Sequence, residues 1–231
     1  MNQSKNGFED FKKLKPWVEE NKEDYYELMA YYKCAMMEVE TKFRVLSEEY
    51  SLLCERDPLL RNPIESVRGR IKTLDSIQEK LQRRGFELTV DSIERNLDDV
   101  AGVRVICSFP SDVYRLRDAL LHQDDVILVE EKDYISNPKA NGYRSLHLII
   151  AVPIFLHDHK KMMAVEIQFR TIGMDWWAQL EHIIKYKKDF RDSEELRNNL
   201  LECARSSFRI DTEMEDIYNK SLDMRITEEE V

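Results

Sequence analysis

The amino-acid sequence predicts an α+β fold in which a mixed β-sheet of about five strands is flanked by helices. Segments with the alternating pattern of a strand and segments with the periodicity of a helix follow one another along the chain. Two of the strand segments are joined only by a short polar turn, which is typical of an antiparallel hairpin. Amphipathic segments near both ends predict a long N-terminal and a long C-terminal helix.

The N-terminal helix is predicted from Asn21 to about Glu55, after a short helix or ordered arm at Lys5–Lys15. Two proline turns, at Asp57-Pro58 and Asn62-Pro63, follow the helix and end it. Residues 1–60 are expected to form an N-terminal helical extension. Its apolar stripe either packs on the domain or forms a subunit interface, and the sequence supports both interpretations equally. The stripe consists of Tyr32, Met36, Val39, Phe43, Leu46, Tyr50 and Leu53.

The sheet is predicted within residues 61–190. Thr73 or Asp75 is expected to cap a helix that ends at Gly85, because such side chains accept hydrogen bonds from helix N-termini and glycine adopts the left-handed C-terminal conformation. Strands are expected at Ile64–Lys72, Val100–Phe109, Val126–Ile135, Ser145–Phe155 and Met162–Thr171. Further helices are expected at Val90–Asp98, Pro110–His122, Gly173–Lys187 and Asp192 to about Lys220, the last beginning a C-terminal helix and acidic tail over 191–231.

Composition narrows the class of protein. The apolar runs are too short to span a membrane and the polar N-terminus does not resemble a signal peptide, so a cytoplasmic protein is expected. The four scattered cysteines fit a reducing compartment and predict neither a disulfide framework nor a zinc site. A net charge of −10 argues against binding to duplex nucleic acid, while single-stranded RNA stays open as a partner.

A basic segment, Ser66–Gly85, stands out in this acidic chain because it contains six cations against two acids. Arg70 and Lys72 precede a predicted helix start that carries Ser76 and Lys80. Backbone N–H groups at a helix start, together with these side chains, can hold phosphates. A solvated basic helix face is the alternative interpretation.

Two carboxylates have the surroundings of metal ligands. Asp99 directly precedes a strand of small residues that contains Arg104, an arrangement that suits Mg²⁺ beside a triphosphate. Glu166 lies in mid-strand between apolar neighbours and shares its face with Gln168 and Arg170. A carboxylate at such a position is costly unless it is paired or bound to a metal. The alternatives are that Asp99 pairs with a surface arginine and that Glu166 forms a structural pair with Arg104.

The segment Asn137–His147 runs from two turn dipeptides into a strand. It presents Lys139, Tyr143, Arg144 and His147 within a few residues, which suits a phosphorylated ligand with a flat ring. Tyr143 can stack on a base, and an arginine can stack on another. Together with the carboxylates, these residues predict a Mg²⁺-assisted, nucleotide-dependent transferase that uses two nucleotides.

In four motifs, the chain resembles the small alarmone synthetases, the single-domain relatives of the Rel-type stringent-response enzymes. The resemblance covers roughly Pro63 to Lys187. The motifs are Gly69-Arg70-Ile71-Lys72-x-x-x-Ser76-Ile77-x-x-Lys80, Asp99-x-Ala101-Gly102-x-Arg104, Lys139-x-x-Gly142-Tyr143-Arg144-Ser145-x-His147 and Glu166-Ile167-Gln168-x-Arg170-Thr171. The resemblance implies a nucleotidyltransferase-like synthetase domain that transfers the β,γ-pyrophosphate of ATP to the ribose 3′-hydroxyl of GDP or GTP, giving ppGpp or pppGpp and AMP.

The resemblance also implies the role of each site residue. Arg70 and Arg104 would sandwich the adenine of ATP, and its phosphates would contact Lys72, Ser76 and Lys80. Asp99 and Glu166 would hold Mg²⁺, and Glu166 would also activate the 3′-hydroxyl. The guanine nucleotide would be bound by Lys139, Tyr143, Arg144, His147, Gln168 and Asp175.

The resemblance further implies a synthetase without hydrolase activity that assembles as a homo-oligomer, with a tetramer favoured. Ser66 and Arg68 stand where product-activated members carry an aromatic residue and a threonine, so product activation is not implied. Two alternatives stay open. One is a toxic family member that pyrophosphorylates the 3′ end of tRNA, and the other is a non-catalytic nucleotide- or RNA-binding regulator. Trp176 and Trp177 are expected in the core.

Overall fold

A computed structural model describes residues 16–57, 59–185 and 193–229, with the side chains of residue 185 and residues 225–229 excluded. The arm predicted at Lys5–Lys15 lies outside these ranges. The described helices are α1 (Lys22–Arg56), α2 (Leu74–Arg84), α3 (Val90–Asn96), α4 (Pro110–Leu121), α5 (Ile172–Lys185) and α6 (Glu194–Glu229). The strands are β1 (Ile64–Ile71), β2 (Ala101–Cys107), β3 (Ile127–Asp133), β4 (Leu146–Phe155) and β5 (Lys160–Thr171).

The five strands form one mixed sheet in the order β1-β2-β5-β4-β3. β2 and β5 are parallel, and the other neighbouring pairs are antiparallel. β4 and β5 form the hairpin that the sequence predicts, with Phe155 opposite Lys160 at its turn. The predicted α+β fold with a mixed five-stranded sheet is therefore confirmed.

Local sequence signals mark the ends of α2. The Thr73 hydroxyl accepts a hydrogen bond from the backbone N–H of Ser76, so Thr73 rather than Asp75 is the N-cap. Gly85 has φ +79° at the other end, where it closes the helix in the left-handed conformation. The basic segment Ser66–Gly85 therefore spans most of β1 and the whole of α2.

The apolar face of the sheet packs against α1. Tyr32, Val39 and Phe43 of the predicted stripe are buried, and the Phe43 ring meets Phe169 of β5 edge-on at 5.6 Å between ring centroids. Leu53, at the end of the stripe, is 37% exposed. The interpretation that the stripe packs on the domain is confirmed for its central residues. Within the described residues, none of the helices has the length and apolar character needed to cross a membrane.

The C-terminal helix extends further than expected, through Glu229 rather than about Lys220. Trp177 of α5 is buried and donates its indole N–H to the carbonyl of Leu200 at 3.0 Å, which joins α5 to α6. Trp176 is 55% exposed, so the expectation that both tryptophans lie in the core is wrong for this one. Consecutive residues on a helix point about 100° apart, and only one of the two faces α6.

Candidate active site

The polar face of the sheet carries two neighbouring rows of residues that cross all five strands. Strand register aligns them, because residues directly opposite one another in paired strands point to the same side of the sheet. One row consists of Arg70, Gly102, Glu166, Ile149 and Glu130. The next row consists of Arg68, Arg104, Gln168, His147 and Lys132. Residues that are distant in the chain thus form one continuous, largely polar surface.

A cavity of about 510 Å³ opens on the part of this surface formed by β1, β2 and β5. Gly102 lies in its floor, and a Cβ there would make only ordinary contacts with the Arg70 and Glu166 carbonyl oxygens, at 3.7 and 3.9 Å. The missing side chain leaves room for a ligand between two charged neighbours. The cavity is lined by Arg68, Gly69, Arg70, Lys72, Asp99, Gly102, Val103, Arg104, Glu166 and Gln168. Asp99 and Glu166 therefore face the same space.

Asp99 lies between two lysines. The ammonium groups of Lys72 and Lys80 are 2.5 and 2.6 Å from its Oδ2 atom. Burial acts to raise the pKa of Asp99, but the two lysines outweigh it and hold the pKa below the usual value. Burial lowers the pKa of Lys72. The Oδ1 atom of Asp99 is buried and has no hydrogen-bond partner among the described residues, so one carboxylate oxygen is available to a further cation.

Glu166 is held by two donors on the same polar surface. His147 Nδ1 lies 3.2 Å from Oε1, and the Gln168 amide donates to Oε2 at 2.8 Å. Burial acts to raise the pKa of Glu166, and these hydrogen bonds lower it to a net value below the usual one. Arg104 instead lies 3.3 Å from Asp175. The alternative of a structural Glu166–Arg104 pair is therefore wrong.

A second cavity, of about 210 Å³, lies on the other side of Glu166. The Lys139 ammonium group is 4.4 Å from the centroid of the Tyr134 ring and 4.8 Å from that of Tyr143. The Tyr143 hydroxyl is 2.8 Å from His147 Nε2. This cavity is lined by Glu130, Lys132, Tyr134, Lys139, His147, Ile149 and Glu166. Glu166 thus forms part of the wall of both cavities.

Three residues predicted for the site lie elsewhere or have other partners. Arg144 donates to the Ile135 carbonyl and stacks 3.8 Å from the Phe208 ring centroid, on the side of α6 and away from both cavities. Ser76 lies in the first turn of α2, where its N–H is occupied by Thr73. Asp175 is 9% exposed and is bonded to Arg170 at 2.9 Å as well as to Arg104.

Sequence reasoning missed several residues in and around these cavities. Arg170 was placed on the Glu166 face by strand alternation but received no role, although it contacts Tyr143, Gln168 and Asp175. Arg68, Lys132 and Tyr134 also line the cavities. Strand register would have identified Arg68 and Lys132, but register depends on pairing that the sequence does not state. Tyr134 lies directly after β3.

The carboxylates of Asp99 and Glu166 suit a divalent cation that is also coordinated by oxygen atoms of a bound phosphate. No cluster of three or more His, Cys, Asp or Glu side chains able to hold a metal occurs in residues 16–57, 59–185 and 193–229. Asp99 and Glu166 would therefore supply part of a coordination shell, and Asp99 Oδ1 is an unpaired oxygen suited to this use. Magnesium commonly binds one or two carboxylates together with substrate phosphates.

The fold and the site have the features of an enzyme that acts on phosphorylated substrates: a cavity rich in cations and a second, smaller cavity on the other side of the Glu166 carboxylate. A family model described as a region found in RelA / SpoT proteins matches residues 69–191. The chain is 42% identical to GTP pyrophosphokinase YwaC of Bacillus subtilis over 83% of its own length and 89% of that protein. The chain belongs to the RelA/SpoT family.

Solved structures agree with this assignment. The small alarmone synthetase 2 of Bacillus subtilis has a TM-score of 0.76 and 40% identity, covering 86% of this chain and 100% of the other. The small alarmone synthetase 1 of the same organism, bound to its product pppGpp, has a TM-score of 0.75 and 31% identity, covering 85% and 97%. Both structural matches cover nearly the full length of the solved chains, so the similarity includes the sheet and the flanking helices.

Proposed function

We propose that the protein is a GTP pyrophosphokinase that transfers the β,γ-pyrophosphate of ATP to the ribose 3′-hydroxyl of GDP or GTP. The products are AMP and ppGpp or pppGpp. The observation that carries the proposal is the position of Glu166, whose carboxylate borders both cavities. A group that takes a proton from one nucleotide as it attacks another must lie between the two. The names of the relatives support the same reaction.

The larger cavity is assigned to ATP. Arg70 and Arg104 lie on neighbouring strands at its wall, where two guanidinium planes can enclose an adenine ring. Lys72 and Lys80 converge on Asp99 and provide positive charge for the phosphates. Ser76 is assigned to the same phosphates from the first turn of α2. Phosphoryl and pyrophosphoryl transfer depends mainly on such positioning and charge neutralisation.

Asp99 and Glu166 are assigned as the protein ligands of Mg²⁺. When bound, the ion would neutralise charge on the transferring phosphates. The lowered pKa values of both carboxyl groups mean that they are ionised at neutral pH, as metal binding requires. The unpaired Asp99 Oδ1 supports this assignment.

The smaller cavity is assigned to the guanine nucleotide. The Tyr143 ring, which contacts Lys139 and Arg170 beside this cavity, is assigned to stacking on the guanine base. Lys139, His147 and Gln168 are assigned to polar contacts with the phosphates and ribose. Glu166 accepts the proton of the 3′-hydroxyl, whose oxygen attacks the β-phosphorus as the bond to the α-phosphate oxygen breaks and AMP leaves. Asp175 is assigned to the guanine edge, since a carboxylate accepts from guanine N–H groups. Arg144 supports the loop from the α6 side rather than facing the cavity.

The test is an assay with ATP labelled on its β- and γ-phosphates, incubated separately with GDP, GTP, GMP or tRNA and resolved by thin-layer chromatography. We expect label on GDP or GTP and release of AMP, both dependent on Mg²⁺. Label on tRNA alone would establish the tRNA-modifying alternative. Binding of both nucleotides without AMP release would establish the non-catalytic regulator.

We also infer a cytoplasmic homo-oligomer, with a tetramer favoured, and retain the division into residues 1–60, 61–190 and 191–231. Exposed apolar side chains on two helices support association, because large apolar patches commonly form interfaces. They include Ile172, Trp176 and Ile183 on α5 and Ile210, Met214 and Ile217 on α6. Light scattering after size-exclusion chromatography measures the mass; a strictly monomeric protein would contradict the inference.

A further inference from the structure

Arg170 lies near the end of β5, and only 6% of its surface is exposed. Its guanidinium group donates to the Tyr143 hydroxyl at 2.9 Å, to Gln168 Oε1 at 3.0 Å and to Asp175 Oδ1 at 2.9 Å. A buried arginine is costly, and well-packed apolar residues commonly replace buried ion pairs without loss of stability. A contribution to folding stability therefore does not explain the presence of a guanidinium group at this buried position.

The first chain of hydrogen bonds from Arg170 runs through Tyr143 and His147. An arginine can only donate, so the Tyr143 oxygen accepts from it and its O–H is free to donate to His147 Nε2, 2.8 Å away. His147 then carries its proton on Nδ1, which faces Glu166 Oε1 at 3.2 Å. The hydrogen bonds of this chain all run in one direction, from the guanidinium to the carboxylate.

A second, shorter chain reaches the other oxygen of Glu166. Gln168 Oε1 accepts from Arg170, which fixes the orientation of its amide and turns the NH₂ group toward Glu166 Oε2 at 2.8 Å. The carboxylate can only accept, just as the guanidinium can only donate. The two chains therefore have the same polarity, and hydrogen bonds aligned in this way strengthen one another.

We propose that Arg170 is a positioning residue for pyrophosphate transfer, acting through two directed hydrogen-bond chains that hold the Glu166 carboxylate and the Tyr143 ring in one arrangement. The inference rests on the proposed function and adds a residue to it. Arg170 itself borders neither cavity, so it acts on the reacting groups through Tyr143, His147 and Gln168. Its contact with Asp175 is shared with Arg104 and anchors the guanidinium from the opposite side.

The test is a comparison of Arg170→Met in two backgrounds, the unchanged chain and the Tyr143→Phe/Gln168→Leu variant in which both chains are already cut. We expect Arg170→Met to lower kcat about 10- to 100-fold in the unchanged chain, as loss of supporting hydrogen bonds commonly does. In the Tyr143→Phe/Gln168→Leu variant we expect Arg170→Met to change kcat by no more than about twofold further, because all three substitutions remove the same hydrogen-bond chains. An equal loss in both backgrounds would overturn the proposal.

Tyr143→Phe and Gln168→Leu provide the test if Arg170→Met does not fold, since each cuts one chain and keeps the arginine. Tyr143→Phe retains the ring, so we expect a lower kcat with little change in the KM for GDP. Full activity in both single variants would overturn the proposal. Arg209→Met, at an exposed pair with Glu213 on α6, is the matched control for loss of an arginine.

The unchanged chain is assayed first, so that failure of the proposed function is recognised separately. If it releases no AMP, the proposed function fails and the inference is tested by NMR instead. The His147 Nδ1–H signal should then be sharp in the unchanged chain and lost through exchange in Arg170→Met. A signal unaffected by Arg170→Met would overturn the inference without reference to activity.

Discussion

Gly142 lies directly against Ala204, so the loop that carries Tyr143 rests on the C-terminal helix. A Cβ built on Gly142 would come within 2.5 Å of the Ala204 Cβ, closer than real side chains approach. Gly142 also has φ +89°, a conformation that other residues adopt at a cost. Glycine is therefore favoured at position 142 for two reasons: the backbone conformation, and the lack of space for a side chain next to α6.

Gly142→Ala should lower the free energy of unfolding and raise the KM for GDP while leaving ATP affinity nearly unchanged. The left-handed conformation alone costs about 1 kcal/mol or more, and the collision with α6 adds to it. Gly85→Ala is the matched control, because Gly85 has φ +79° with no atom within 4 Å of the built Cβ. Denaturant unfolding should show a larger loss for Gly142→Ala, and equal losses would contradict the packing argument.

Glu166→Gln should abolish transfer and leave ATP binding largely intact. The amide has the shape of the carboxylate but cannot take the proton of the 3′-hydroxyl, and removal of a general base commonly costs about 100- to 10,000-fold. Turnover is measured by AMP release and binding by calorimetry with a non-hydrolysable ATP analogue. Glu65→Gln, on an exposed part of β1, is the control. Normal turnover by Glu166→Gln would show that another group is the base.

Tyr143→Ala should weaken binding of the guanine nucleotide. Stacking of a base on an aromatic ring is worth about 1–3 kcal/mol, which corresponds to a rise in KM of about 5- to 150-fold. Tyr143→Phe should keep most of this affinity because it keeps the ring. Steady-state kinetics with varied GDP at saturating ATP separates the two variants. If the two variants had the same KM, stacking on the ring would be refuted.

Asp211→Asn should stabilise the protein at neutral pH. Burial and the nearby Glu215 raise the pKa of Asp211, whose carboxylate accepts from the Thr171 hydroxyl beneath α5. A raised pKa means that the folded state binds the proton more tightly, so stability is lost as pH rises through the folded pKa. The asparagine has no such loss, and its amide oxygen can accept the same hydrogen bond.

The stabilisation by Asp211→Asn should vanish below the ordinary aspartate pKa of about 3.9, where the native side chain is also neutral. Thermal unfolding across a pH series measures the difference. Asp216→Asn, at an exposed position of α6, should show no comparable trend. A difference that stayed constant with pH would mean that ionisation of Asp211 is not its cause.

Most secondary structure could be predicted because its signals are local. Thr73, Gly85 and the β4–β5 turn act over a few residues, and the structure has them where the sequence indicates. Packing between distant segments decides the features that local signals do not indicate. The exposure of Trp176 depends on where α6 packs, and the position of Arg144 depends on Phe208, far along the chain.

The sequence by itself determined the mixed sheet, its bounding turns and the set of charged residues available for nucleotide chemistry. Strand alternation was enough to place Glu166, Gln168 and Arg170 on one face. Only the tertiary structure decided that Asp99 and Glu166 share a cavity and that Arg170 is joined to Glu166 through Tyr143 and His147. The physical reason is the sequence separation over which the interactions act. Caps and turns are determined by neighbouring residues, whereas a site is determined by strand pairing and helix packing between distant segments.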